Sequence, residues 1–216
     1  MKKAFLFLTM LLFAFMGTMR ADEVTVCDGT ATNEYVPVYG LYADTQGCQS
    51  EFVIPASEIG ILPGGQISKL TFYLSTPASA AWTATFQVYM TEIEGTTLSA
   101  FVGPSGCTQV YQGALNGTGS TMEVVFDNDY TYNGGNLLIG TFVSTAGNYK
   151  SAKFYGVTAT GASIQRNSST ASTYQRNFLP KTTFEFVQGD LPATTIVPSE
   201  NPVQLGVRPI GAWMKP

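Results

Sequence analysis

Histidine is missing from this 216-residue chain. Its absence excludes Ser-His-Asp and Cys-His catalysis, His-ligated zinc and any imidazole switch near neutral pH. Charge is also scarce: Asp, Glu, Lys and Arg make up 12 % of the residues, about half the usual share of roughly 25 %. The net charge of −4 denies nucleic acid the basic footprint it requires and disfavours anionic lipid surfaces. Cysteine is limited to Cys27, Cys48 and Cys107. Either one pair bridges and one thiol is left over, with three pairings open, or all three stay reduced and pack. No base is present to activate a thiol, so cysteine-protease chemistry is excluded. Beyond the N-terminal leader, no hydrophobic period supports a helix longer than about two turns.

What is present begins with an export signal. Lys2 and Lys3 precede an apolar run from Ala4 to Met16, and small or polar residues lead to Ala21. That order is the one a secretory signal peptide uses. The run is shorter than the ~20 apolar residues a spanning helix needs. Residues 1–21 are therefore expected to be cleaved, which leaves a secreted or cell-surface chain with no transmembrane segment. Residues 22–188 have the length of one domain.

The rest of that domain is dominated by alternation of period two. Glu23–Cys27, Tyr35–Tyr39, Glu51–Ile54, Ile67–Ser75, Trp82–Met90, Thr108–Tyr111, Met122–Phe126, Asn136–Val143, Ala152–Val157 and Thr182–Val187 all read as extended. Pro55–Ile59 reads as a helical turn. In Trp82–Met90 the inward set is Trp82, Ala84, Phe86, Val88 and Met90, which leaves Thr83, Thr85, Gln87 and Tyr89 outward. About nine short strands with Gly, Asn and Ser between them predict an all-β, antiparallel, two-sheet sandwich of jelly-roll type. After Gly189 the alternation stops and a Pro-, Thr- and Val-rich linker begins. The apolar Ile210–Met214 has nothing to pack on, which points to residues 189–216 being a linker and the start of a following β domain.

Three stretches carry a family resemblance. They are Thr25–Thr30 with Tyr35–Gly40, Phe52–Ala56 with Gly65–Tyr73, and Tyr132–Gly140. Together they resemble the N-terminal β-sandwich module of exported surface proteins of the Bacteroides, Prevotella and Porphyromonas group, over roughly residues 22 to 188. The resemblance implies an adhesin-like module that precedes immunoglobulin-like or fibronectin-like repeats. It implies location and fold rather than an activity.

Candidate chemistry is sparse. Asp127, Asn128, Asp129 and Asn133 gather oxygen atoms in what reads as a loop, so Asp127 and Asp129 are the candidate ligands of a structural Ca²⁺. The same residue types are ordinary turn formers. Tyrosine rings can stack on sugars, and Tyr73, Tyr89, Tyr130 and Tyr132 are the candidate ligand-binding residues. Tyr73 and Tyr89 are expected on outward faces of adjacent strands, as a shared platform or as a cross-strand pair that only stabilises the sheet. Glu92, Glu94, Glu123 and Glu185 are the carboxylates from which a glycosidase pair would be drawn. Arg166, Arg176 and Lys181 flank a small-residue loop at Asn167–Thr170 that reads as an exposed connection or a contact loop. The expectation is a non-catalytic binding or adhesion module, its partner a glycan or a host or surface protein. The alternatives are a carbohydrate-active hydrolase and a structural spacer.

Overall fold

A computed structural model describes residues 21–188. The signal-peptide expectation, apart from Ala21, and the linker expectation for 189–216 lie outside the described residues. The strands are β1 (Asp22–Val26), β2 (Ala31–Asn33), β3 (Gln49–Ile54), β4 (Gly65–Thr76), β5 (Thr85–Ile93), β6 (Thr108–Gly113), β7 (Thr121–Tyr132), β8 (Asn136–Thr145), β9 (Lys153–Thr158), β10 (Ser163–Arg166), β11 (Tyr174–Gln175), β12 (Phe178–Pro180) and β13 (Thr182–Val187). The single α-helical turn among the described residues is α1 (Ala56–Ile59). It follows Pro55, whose extended backbone caps it, and Gly60 in the left-handed region ends it.

Two antiparallel sheets face each other. One runs β1-β13-β4-β9-β12, with β7 also paired to β4 and β2 to β9; the other runs β11-β10-β3-β8-β5-β6. Leu70 pairs with Phe184 of β13 and with Val124 of β7, so those two strands flank β4 on opposite edges. The principal halves are thus β1-β13-β4-β7 and β3-β8-β5-β6. The chain visits them in the order of a jelly roll, and within these eight strands only β5–β6 are consecutive neighbours in one sheet. The fold is the all-β sandwich expected. Strands β9–β12 form an insertion between β8 and β13 that extends both sheets.

The core explains the alternation. Phe86, Val88 and Met90 of β5 and Leu70, Phe72 and Leu74 of β4 are buried between the sheets. Phe52 of β3 meets Phe72 of the opposite sheet edge-to-face, centroids 6.1 Å apart. Each such buried side chain stabilises the fold by about 1.5–3 kcal/mol. Trp82 precedes β5 rather than opening it, yet it is buried as expected, and its indole N–H donates to the Lys150 carbonyl at 2.9 Å.

The structure corrects several expectations. Tyr35–Tyr39 is not a strand, and Val36, Pro37 and Val38 are buried in succession rather than alternating. Strand β7 continues through Asp127–Asp129, which lie on a bulged part of the strand and not in a loop: Lys69 pairs with Val125 and Ile67 with Tyr130. The Asn133–Gly135 turn carries the chain from one sheet to the other, with Gly134 at φ 101°. Ser163–Arg166 is a strand that no alternation announced, because three of its four residues are buried whatever their polarity.

Candidate functional site

The clearest constellation on the surface is a strip of tyrosines around one arginine. Tyr35, Tyr39 and Tyr42 lie between β2 and β3, Tyr174 on β11, and Arg176 just after it. Local chemistry places each of them. The Asn33 side-chain carbonyl accepts the amides of Tyr35 at 2.8 Å and Val36 at 3.1 Å, an Asx turn that starts the segment. Val36 and Val38 are buried in the core, and Tyr35 and Tyr39 on either side are half-buried and pack against it. Ser50 of β3 donates to the Tyr35 carbonyl and Thr141 of β8 to the Pro37 carbonyl, both at 2.6 Å, which ties the segment to the sheet. A 3₁₀ turn at Gly40–Tyr42 brings the third ring round.

The groups contact one another in series. Tyr42 and Tyr39 have centroids 5.1 Å apart, Tyr39 and Tyr35 4.8 Å, and successive rings are tilted by 34° and 54°. The Arg176 guanidinium stands 3.6 Å over the Tyr35 ring and 5.1 Å from that of Tyr174. The two end rings are the exposed ones, Tyr42 at 37 % and Tyr174 at 47 %. Arg176 donates one Nη to the Gln165 side-chain carbonyl at 2.9 Å, and its Nε is buried without a partner. Burial pushes the Tyr39 phenol up, Tyr35, Glu34 and Tyr42 add to this, and Arg176 opposes it. The Tyr39 phenol therefore keeps its proton and can both donate and accept a hydrogen bond.

Sequence reasoning placed its ring platform elsewhere. Tyr73 and Tyr89 cannot share a face, because β4 and β5 belong to different sheets. Tyr73 is half-buried, donates to or accepts from Thr183 at 2.8 Å, and lies under Lys181 at 4.6 Å. Tyr89 is fully buried, and Tyr130 and Tyr132 are buried at the foot of β7. The four rings form no common surface. Of the strip, the sequence singles out only Arg176, as part of a polar segment that could be a contact loop; Tyr35 and Tyr39 enter only as an extended piece and through the family resemblance.

Tyr89 belongs to a different assembly, on the outer face of the six-stranded sheet. Glu51 of β3 is 0 % exposed and accepts four hydrogen bonds. Tyr89 hydroxyl donates at 2.7 Å, Gln49 Nε2 at 3.1 Å, and the amides of Val102 and Gly103 at 2.9 and 2.8 Å. Residues 94–107, linking β5 to β6, fold back over this face and bury Val53, Tyr89, Leu98, Leu138 and Ile164. Arg166 bonds Gln49 and stacks on Phe101 at 4.6 Å. Burial, then the charge of Glu51, pushes the Tyr89 phenol far up. All acceptor capacity of Glu51 is turned inward, so the group fastens a loop.

The other candidates are engaged separately. Glu92 accepts from the Asn133 amide (2.7 Å), its Nδ2 (3.1 Å) and the Gly135 amide (2.6 Å), and so holds the turn between β7 and β8. With Glu94, Ala56 and Asn136 it lines an open groove of about 420 Å³. Glu185 pairs with Lys69 at 2.6 Å, and Glu123 is exposed on β7. Glu92 and Glu94 share that groove, whereas Glu123 and Glu185 are not part of its lining. Asp127 accepts the Gln112 amide at 2.9 Å, and Asp129 is exposed. Among the described residues no group of three or more His, Cys, Asp or Glu could hold a metal. The three cysteines are free; burial raises Cys27 and Cys107 to about 11 and Cys48 to about 12. No helix among the described residues is long and apolar enough to cross a membrane. Comparison with protein-family models, curated proteins and solved structures gave no match.

Proposed function

We propose that this chain is a non-catalytic binding module of an exported, adhesin-like protein, and that its ligand is carbohydrate. The observation that carries the reading is the series Tyr42, Tyr39, Tyr35, Arg176 and Tyr174, with exposed rings at both ends. A phenol ring combines an apolar face with a polar tip. That suits a pyranose, which has an apolar C–H face and a rim of hydroxyls. The supporting segment between β2 and β3 is fastened by side-chain hydrogen bonds, so the rings are held before ligand arrives. Export follows from the N-terminal leader, and the resemblance over residues 22 to 188 points the same way. The hydrolase reading has less support. A glycosidase needs two carboxyl groups facing across the scissile bond, about 5–9.5 Å apart, and here Glu92 is taken up by a turn and Glu185 by Lys69.

The test is a broad glycan array with purified protein, followed by calorimetry on the best binder. Tyr42→Ala and Tyr174→Ala should each weaken binding by roughly tenfold, the 1–2 kcal/mol expected of a lost stacking contact. Both rings are exposed, so the melting temperature should stay within a few degrees. Unchanged affinity in both variants would overturn the site, and a folded protein that binds no glycan would move the reading to a protein-contacting or spacer domain.

A further inference from the structure

The charges of this molecule are segregated along the chain. Between Asp129 and Glu185 there is no acidic residue, while Lys150, Lys153, Arg166, Arg176 and Lys181 all fall there. Among the described residues Lys69 is the only other cation. Three of these six cations are engaged elsewhere. Lys69 pairs with Glu185, and Lys181 with Asp28 at 2.6 Å and with the Tyr73 ring. Arg166 bonds Gln49 against Phe101. Arg176, like Arg166, Lys150 and Lys153, has no carboxylate partner among the described residues; it is set apart by its place in the middle of the tyrosine strip, with one neutral side-chain hydrogen bond. A guanidinium offers five N–H donors in a planar fork, and this one uses few of them. Lys153 adds a second cation nearby: with Thr32, Asn33, Glu34 and Tyr35 it lines a groove of about 210 Å³ beside the strip. Glu34 is the acidic group in that groove.

Resting on the carbohydrate reading, we infer that the ligand is an acidic glycan, one whose sugar carries a carboxylate on the ring, with Arg176 as its ionic anchor. A carboxylate fixed to the edge of a pyranose lies nearly in line with the ring. A sugar stacked on Tyr174 or Tyr42 can therefore direct its charge along the strip toward the guanidinium. A planar carboxylate also matches the guanidinium fork. The stack of Tyr35 against Arg176 holds that fork in a fixed plane, which lowers the ordering required on binding. Lys153 in the neighbouring groove adds positive charge to the approach, partly offset by Glu34 in the same groove.

The experiment is a glycan array containing carboxylated, sulfated and neutral members, read for the wild-type protein, Arg176→Gln, Arg176→Lys and Tyr42→Ala. Binders should be concentrated among the carboxylated sugars, and their affinity should fall when NaCl is raised. Arg176→Gln should lose roughly tenfold or more, as for a charge-assisted hydrogen bond. Arg176→Lys should recover part of that loss while keeping the salt dependence. Tyr42→Ala, whose ring does not touch Arg176, should weaken binding without changing the salt dependence. Preference for neutral sugars, with Arg176→Gln unchanged, would overturn the inference and leave the carbohydrate reading standing. Preference for sulfated members alone would overturn the carboxylate assignment. Failure of every glycan would overturn both. Melting curves for Arg176→Gln identify a loss that comes from unfolding; in that case Arg176→Lys and the salt titration decide.

Discussion

Gly140 shows how one missing side chain organises a polar core. It sits on the central strand β8, directly opposite Tyr89 of β5 on one side and Glu51 of β3 on the other. A Cβ at this position would lie 2.2 Å from the Tyr89 ring. Its absence lets the phenol cross β8 and reach the Glu51 carboxylate. Removing that carboxylate tests the arrangement. Glu51→Ala would leave Tyr89, Gln49 and two backbone amides without their acceptor in a dry site. Each unsatisfied donor costs about 1–3 kcal/mol, so we expect a loss of at least ~3 kcal/mol in a denaturant titration. A loss under ~1 kcal/mol would contradict the network. None of this was legible from residue types. Glu51 read as an ordinary strand residue and Tyr89 as an outward ring for ligand, and only the register of three strands brings them together. The tyrosine strip was only partly legible: Tyr35 and Tyr39 flank Val36 and Val38 in the sequence, but the approach of Arg176 depends on the β9–β12 insertion.

At the scale of elements, strands with alternating or continuously apolar residues were readable, including β3 and β8, which are buried on both faces, and the short polar ones were not. β4, β5 and β13 alternate cleanly because one face meets the core, whereas β10 is mostly buried and too short and polar to give a period. Period two also says nothing about which sheet a strand joins. That is why Tyr73 and Tyr89, on strands consecutive in sequence, were expected side by side although the chain crosses between sheets at that point. The segment 94–107 reads as a plain connection in sequence, yet it covers the outer face of β3, β8 and β5. Leu98 is its main apolar anchor, 4 % exposed. Leu98→Ala should free this segment locally. Amide exchange at Val102 and Gly103 and alkylation of the half-buried Cys107 should both accelerate. The amides of β4 and β13, in the other sheet, should keep their protection. Equal acceleration across both sheets would show that the segment is not a separable unit.

The whole molecule has a direction in pH. Cys27 and Cys107 are raised to about 11 and Cys48 to about 12. Burial is the main cause, and the Tyr89 and Tyr130 phenols are raised for the same reason. Raised acid groups keep their protons in the folded chain after the unfolded chain has lost them. Below the unfolded thiol value of about 8.5–9 they leave stability unchanged. Above it the unfolded state binds fewer protons, and stability should fall progressively as pH rises toward 11–12. Unfolding titrations at pH 7, 9 and 10.5 check this, and a flat profile would contradict it. The same burial predicts three free thiols on denaturation.

The central claim, a glycan held by one tyrosine strip, is tested most directly by ring-resolved NMR. With tyrosine-labelled protein titrated by its best array binder, the ring signals of Tyr42 and Tyr174 should move most, followed by Tyr35 and Tyr39. Those of Tyr73, Tyr89, Tyr130 and Tyr132 should stay in place. Shifts confined to the second set, or saturating binding that moves neither set, would contradict the account.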